Sequence, residues 1–214
     1  MTQAIIMYAG PHKSSDEWRE NRKNAYVLHS YLTKQTEVVS QFLYCKKFKC
    51  KSDFTRPLGA CLVSGEPTLL AFFGHGDRNG ICPQKNFDIN FSHLAFILSE
   101  AKGPVLIVID ACESYGLAKH CREQDVDSSK VGIITASSRT KLTGGGWLAP
   151  QIIRRWERKM NFPKIKTPTD CAEDDYAYAT AQSKLISKNS FVRKNSYQIV
   201  RWGARHDHLF FPGK

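Results

Sequence analysis

The chain has 214 residues, a length that favours one α/β domain over residues 1–214, with the motif-bearing core at about 4–160. Hydrophobic residues make up 42% and charged residues 24%, which is typical of a soluble globular protein with a buried core. No apolar run approaches the about 18–20 residues of a membrane span, and the first residues lack the pattern of a secretory signal. We therefore expect an intracellular, cytoplasmic protein with no membrane span.

The net charge is +11, and the basic residues gather in three stretches, at 45–51, 154–166 and 188–194. Such a charge favours acidic partners, nucleic acid included. The simpler interpretation is that these stretches form a solvated surface.

The seven cysteines have no CxxC spacing, which favours reduced thiols in a reducing compartment. Cys45, Cys50 and Cys61 are close in sequence but lack the spacing and the nearby histidine of a zinc site. We expect no metal and no cofactor.

Apolar runs alternate with helical patterns along the chain. In chain order, the patterns predict a strand at 4–9, a helix at 16–35, a strand at 36–44, an irregular basic stretch to residue 64, a strand at 68–74, a helix at 92–102, strands at 105–111 and 131–137, helices at 147–159 and 170–187, and an edge strand at 197–203. Continuous apolar strands alternating with helices predict a mostly parallel sheet covered on both faces. Ligand chemistry in such sheets lies beyond the carboxyl ends of the strands.

Two predicted strands end in residues that can react. The run LLAFFGHGDRNG (69–80) places His75 between two glycines, and VLIVIDACESYG (105–116) ends at Cys112 before a turn into a helix. One helical crossover joins the two strands, which makes them neighbours in a sheet and brings the two side chains close together. The alternatives are a buried structural cysteine and a histidine that merely occupies a turn.

A cysteine beside a histidine supports acyl transfer. The thiolate of Cys112 is the nucleophile, and the imidazole of His75 carries a proton to a departing amine. Gly76 lets the backbone approach a substrate, and its N–H together with that of Cys112 could hold an oxyanion. The sequence therefore predicts a cysteine-type hydrolase.

Three segments resemble one family of cysteine peptidases. DACES (110–114) resembles the Glu-Ala-Cys-Glu-Ser of legumain, EWRENRKNAYVLHSYL (17–32) resembles its Trp-x-x-x-Arg helix, and ITASS (134–138) resembles the strand beside its specificity pocket. The chain is thus similar to the caspase-like cysteine peptidases, most closely to the family of legumain and the catalytic subunit of the GPI transamidase. The likeness covers roughly residues 4–150.

The resemblance implies a caspase-like three-layer α/β/α sandwich and an endopeptidase acting on peptide or protein substrates through a dyad of His75 and Cys112. It also implies that Arg22 and a serine of the pair Ser137 and Ser138 line the pocket for the residue before the scissile bond. A guanidinium there can hold the side-chain oxygen of Asn or Asp. Glu113 could pair with the arginine or accept a hydrogen bond from a substrate amide, or simply be a favourable acid at a helix start.

The chain departs from the family around the pocket. Lys23 stands where legumain has a histidine, and Gly146 stands where an acidic residue precedes Trp147. A pocket that keeps Arg22 but has lost an acid would favour Asp over Asn. Two other functions stay open: a non-catalytic caspase-like protein whose basic surface binds nucleic acid or an acidic partner, and a transpeptidase or ligase that uses the same dyad.

Overall fold

The computed structural model describes residues 1–9, 16–34, 38–44, 50–84, 87–136, 200–204 and 206. Within these ranges lie four helices and nine strands. In chain order they are β1 (Thr2–Tyr8), α1 (Asp16–Thr33), β2 (Val38–Tyr44), α2 (Ser52–Val63), β3 (Thr68–Phe73), β4 (His75–Asp77), β5 (Gly80–Gln84), β6 (Phe87–Asn90), α3 (Phe91–Ser99), β7 (Val105–Asp110), α4 (Gly116–Glu123), β8 (Val131–Thr135) and β9 (Val200–Gly203).

Six strands form the central sheet, in the order β2-β1-β3-β7-β8-β9. The first five run parallel to one another, and β9 pairs antiparallel with β8 at the edge. Strands β3 and β7 are neighbours, with Thr68 opposite Val105 and Phe73 opposite Asp110. The sequence prediction that these two strands lie side by side is confirmed.

Helices cover both faces of this sheet. One buried cluster joins the sheet to α2, α3 and α4 through residues such as Leu58, Leu94 and Leu117. The other joins the opposite face to α1 through Leu28 and Leu32. Because alternate strand residues enter opposite clusters, the strands are buried on both sides and read as continuous apolar runs. The predicted three-layer α/β/α sandwich with a mostly parallel sheet is confirmed.

The stretch before residue 64 was predicted to be irregular, and that prediction is wrong. Helix α2 occupies Ser52–Val63 and includes Pro57. Its buried residues, Phe54, Leu58, Cys61 and Leu62, have the spacing of one helical face, and packing of that face against the sheet outweighs the hydrogen bond that proline removes.

A second, three-stranded antiparallel sheet follows β3 directly, in the order β4-β5-β6. The sequence patterns predict no element between the strand at 68–74 and the helix at 92–102, because strands as short as the three-residue β4 leave no detectable pattern. Asn79-Gly80 is a strong hairpin signal that could have revealed the sheet; Asn79 lies in the β4–β5 turn and Gly80 begins β5. This small sheet carries His75.

No helix in the part of the chain that the structure describes is long and apolar enough to cross a membrane.

Candidate active site

His75 lies immediately beyond the carboxyl end of β3. Gly74 separates it from Phe73, and the Gly74 N–H donates to the carbonyl oxygen of Asp110 at 3.1 Å. A Cβ at Gly74 would lie 2.9 Å from Cζ of Phe72, so a side chain at this bend would force the buried Phe72 ring to shift. The side chain of His75 is exposed.

Cys112 lies at the matching point beyond β7. Phe73 and Asp110 are the last register pair of β3 and β7, and His75 and Cys112 each come two residues later. Neighbouring strands are about 4.8 Å apart, so the two chain segments leave the sheet side by side. Cys112 is half-buried and precedes α4.

Gly76 packs directly against the turn that contains Cys112 (residues 111–115, here called the cysteine's turn). A Cβ on Gly76 would lie 3.0 Å from Cβ of Ala111 and 3.1 Å from the carbonyl oxygen of Cys112. A larger residue there would force the two segments apart. The structure therefore brings the backbones around His75 and Cys112 into contact at the carboxyl ends of the strands.

The two glycines that flank His75 face the α2–α4 side of the sheet. The Cβ positions of Gly74 and Gly76 are directed at Ala9 and Ala111, which both belong to the cluster on the α2–α4 face. His75 lies between them, at the start of β4.

The start of α1 lies at the same edge of the sheet. Nδ2 of the buried Asn21 donates to the carbonyl oxygen of Ala9 at 2.9 Å, and the ring of Trp18 lies 6.2 Å from that of Tyr8 at the end of β1. The Arg22 guanidinium lies 5.4 Å from the centre of the Trp18 ring. These contacts place the predicted pocket arginine, Arg22, on the α1 side of the sheet near the carboxyl end of β1.

A surface pocket of about 270 Å³ lies along this part of α1. The described residues that line it are three cations and two aromatic residues, Arg19, Arg22, Lys23, Trp18 and Tyr26. Such a lining suits an anionic or amide-bearing group held between cations and aromatic rings.

Glu113, directly after the cysteine, has a φ of 51°, in the left-handed region that residues with a side chain rarely adopt. Its Oε2 accepts a hydrogen bond from the backbone N–H of Arg78 at 2.9 Å. This contact connects the cysteine's turn to the β4–β5 turn. Sequence reasoning missed Arg78, because the interaction uses its backbone and leaves no mark on residue type.

Burial holds the thiols of three other cysteines in the protonated form. It raises the pKa of Cys61, and it raises the pKa of Cys121 to about 12. The pKa of Cys82, which pairs with His75 across β4 and β5, is also raised to about 12, first by burial and then by Asp88 and Asp77. A protonated thiol is a poor nucleophile, so these three cysteines are weak candidates for nucleophilic chemistry.

Several predicted features lie outside the described residues. They are Ser137, Ser138, Gly146, the helices at 147–159 and 170–187, and the basic stretches at 154–166 and 188–194. Within the described ranges, no group of three or more His, Cys, Asp or Glu side chains could hold a metal ion.

No protein-family model matches the sequence, and no curated protein matches it. Among solved structures, the chain resembles protein GSU0716 from Geobacter sulfurreducens with a TM-score of 0.56 and 12% identity, over 98% of this chain and 96% of that one. It also resembles caspase-1 from Spodoptera frugiperda (TM-score 0.49, 12% identity, 94% and 84% covered) and Raptor from Chaetomium thermophilum (TM-score 0.48, 13% identity, 74% and 17% covered). At these identities the likeness to GSU0716 shows a shared α/β fold over nearly the whole chain.

Proposed function

We propose that this protein is a cysteine endopeptidase, one domain over residues 1–214, that cleaves peptide bonds through His75 and Cys112. The proposal rests mainly on one observation. Phe73 and Asp110 are paired at the carboxyl ends of two parallel strands, and His75 and Cys112 each lie two residues beyond that pair. The likeness of DACES and of the α1 sequence to legumain supports the same chemistry.

In the proposed mechanism the thiolate of Cys112 attacks the carbonyl carbon of the scissile bond. The N–H groups of Gly76 and Cys112 hold the oxyanion, and the His75 imidazolium gives its proton to the departing amine. His75 then takes a proton from water, which hydrolyses the thioester and restores the thiol. The contact between Gly76 and the cysteine's turn supports this use of the two amides.

The residue before the scissile bond is proposed to be Asp or Asn. Arg22 holds its side-chain oxygen, in a pocket that Ser137 or Ser138 completes. The cation-rich lining along α1 favours Asp, because it supplies positive charge from Arg19 and Lys23 as well.

A peptide-library assay read by mass spectrometry tests the proposal. The wild type is expected to cleave after Asp or Asn, while Cys112→Ala and His75→Ala lose about 10³-fold or more of kcat/KM. Cys50→Ala is the matched control, since Cys50 is an exposed cysteine far along the chain from the site and should have no effect. Products joined to a second peptide would identify a ligase that uses the same dyad.

The alternative is a non-catalytic protein that binds nucleic acid or an acidic partner through its basic surface. It predicts that no peptide is cleaved, that Cys112 reacts with iodoacetamide no faster than Cys50, and that mixed oligonucleotides bind with a strong dependence on salt. That set of results would overturn the peptidase proposal.

A further inference from the structure

The carboxylate of Glu113 joins two segments that the proposed reaction needs to hold together. Glu113 follows Cys112 directly, and the Arg78 amide that donates to it lies three residues after His75. We propose that Glu113 is a positioning residue. It holds the hairpin of β4 and β5 (residues 75–84, here called the β4–β5 ribbon), and with it His75, against the turn that carries Cys112. This inference rests on the proposed function, in which the two side chains act together.

The backbone at Glu113 is arranged for this contact. A φ of 51° costs conformational free energy for a residue with a Cβ, and such a conformation persists only where surrounding contacts hold it. The N–H of Gly116 donates to the Glu113 carbonyl oxygen at 3.0 Å, which closes the turn into α4. The hydrogen bond from Arg78 to the carboxylate is a second contact that holds this residue.

The ribbon that receives the contact is itself well ordered by hydrogen bonds. Oδ1 of Asp77 accepts from the N–H groups of Asn79 at 2.7 Å and Gly80 at 3.0 Å, and the carbonyl oxygen of Asn79 accepts from the N–H of Phe91 at 2.7 Å. These bonds shape the tip and attach it to α3. Because these bonds fix the turn that contains Arg78, the contact between Arg78 and Glu113 also constrains the rest of the β4–β5 hairpin.

The β4–β5 ribbon and the cysteine's turn are closely packed against each other. A Cβ on Gly116 would lie 2.8 Å from the carbonyl oxygen of Arg78, so the tip of the ribbon rests on the start of α4. At the other end of β4, Gly76 rests on Ala111 and Cys112. Glu113 supplies a polar contact between these two van der Waals contacts, and its carboxylate fixes the ribbon in register with the cysteine's turn.

Two substitutions distinguish the effect of the Glu113 carboxylate from the effect of its left-handed backbone. Glu113→Gly removes the carboxylate while tolerating positive φ, and Glu113→Gln keeps a side-chain oxygen that can accept from Arg78. Glu123→Gln is the matched control, because Glu123 is an exposed acid on α4 that pairs with Lys119 at 3.2 Å. All four proteins are compared as the full chain.

The first readout is hydrogen exchange at single amides, which does not depend on activity. In Glu113→Gly the Arg78 amide is expected to exchange about ten- to hundredfold faster, while the Asn79 amide, bonded to Asp77, stays unchanged. Glu113→Gln is expected to restore most of the protection. Unchanged exchange at Arg78 in the glycine variant would overturn the proposal.

The second readout is the kinetics of the site. Glu113→Gly is expected to lower kcat about ten- to hundredfold with KM within about twofold, and to slow alkylation of Cys112, because the imidazole is displaced while the substrate pocket stays. Faster exchange at Arg78 with unchanged kcat and alkylation would show a purely structural contact and overturn the positioning role. If the wild type cleaves no peptide, the proposed function fails by itself, and exchange at Arg78 together with alkylation of Cys112 still decides whether Glu113 positions the ribbon.

Discussion

At the scale of single residues, burial divides the described cysteines by reactivity. Burial raises the pKa of Cys82 and Cys121 to about 12, so at pH 7.5 roughly one molecule in 10⁴ to 10⁵ carries either thiolate. We expect iodoacetamide at that pH to label Cys112 first and to leave Cys82 and Cys121 unlabelled over the same time. Peptide mapping by mass spectrometry measures each site separately.

The effect of His75 on this labelling is the sharper measurement. An imidazole that supports the thiolate of Cys112 should make its labelling at least about tenfold slower in His75→Ala. Cys50 is exposed and provides an internal reference whose rate should not change. Equal labelling of Cys112 in the wild type and in His75→Ala would mean that the two side chains do not interact.

Arg22 and Arg19 provide a matched pair on one helix. Both line the pocket on α1; Arg22 lies over the Trp18 ring and is the residue that the sequence resemblance matches to the pocket arginine of legumain. We expect Arg22→Ala to lower kcat/KM about ten- to hundredfold for peptides with Asp before the scissile bond, since a charge-assisted hydrogen bond is lost. Arg19→Ala should cost about threefold or less; equal losses would indicate a diffuse electrostatic effect in place of a specific contact.

At the scale of elements, the β4–β5 ribbon depends on glycine at one position. Gly76→Ala would put a Cβ 3.0–3.2 Å from Ala111, Cys112 and Gly80, so the ribbon must move away from the cysteine's turn. We expect kcat to fall at least about tenfold and the free energy of unfolding to drop by about 1–3 kcal/mol. Steady-state kinetics and urea unfolding measure the two effects.

Gly59→Ala is the control for this substitution. Gly59 lies inside α2, and a Cβ there meets nothing within 4 Å. Alanine should stabilise the helix by up to about 1 kcal/mol and leave kcat unchanged. A loss of activity in Gly59→Ala similar to that in Gly76→Ala would remove the case for a specific contact at Gly76.

The elements that the sequence predicted well are those whose apolar residues form one unbroken pattern. Strands β3 and β7 are buried throughout and have apolar residues at five of their six positions, which is why both could be predicted. Helix α2 was missed because Pro57 and Gly59 suggested a loop, although its apolar face has helical spacing. The ribbon was missed for a different reason, because β4 is three residues long and its pattern is too short to detect.

At the scale of the whole molecule, the sheet determines how much of the site is predictable. The parallel order of β3 and β7 places His75 and Cys112 at one edge, and sequence alone was enough for that step. The contact between Glu113 and the Arg78 amide could not be predicted, because it depends on a left-handed backbone at Glu113 and on a main-chain donor. That β3 and β7 are neighbours follows from two apolar runs joined by one helical crossover, whereas contacts between turns require the coordinates.

Global stability should respond to pH through the buried thiols. The pKa of Cys121 is raised from 9.0 to about 12 because burial disfavours the thiolate, and burial raises the pKa of Cys61 in the same direction. Well below pH 9 both the folded and the unfolded chain hold these protons, so the contribution is constant. As pH rises from about 9 toward 12, the unfolded chain loses protons that the folded chain retains, and the free energy of unfolding falls by up to about 1.4 kcal/mol per pH unit from Cys121.

Urea unfolding of the wild type and of Cys121→Val at pH 8, 9, 10 and 10.5 isolates this contribution. Valine keeps an apolar side chain of similar size in the core position of Cys121, which is 0% exposed, but it has no proton to lose. Lysine and tyrosine titrate in both proteins and cancel in the difference. We therefore expect the two stabilities to differ by a constant well below pH 9 and the valine variant to gain on the wild type as the pH rises above it. Parallel curves for the wild type and Cys121→Val up to pH 10.5 would show that the thiol of Cys121 ionises as readily in the folded chain as in the unfolded one.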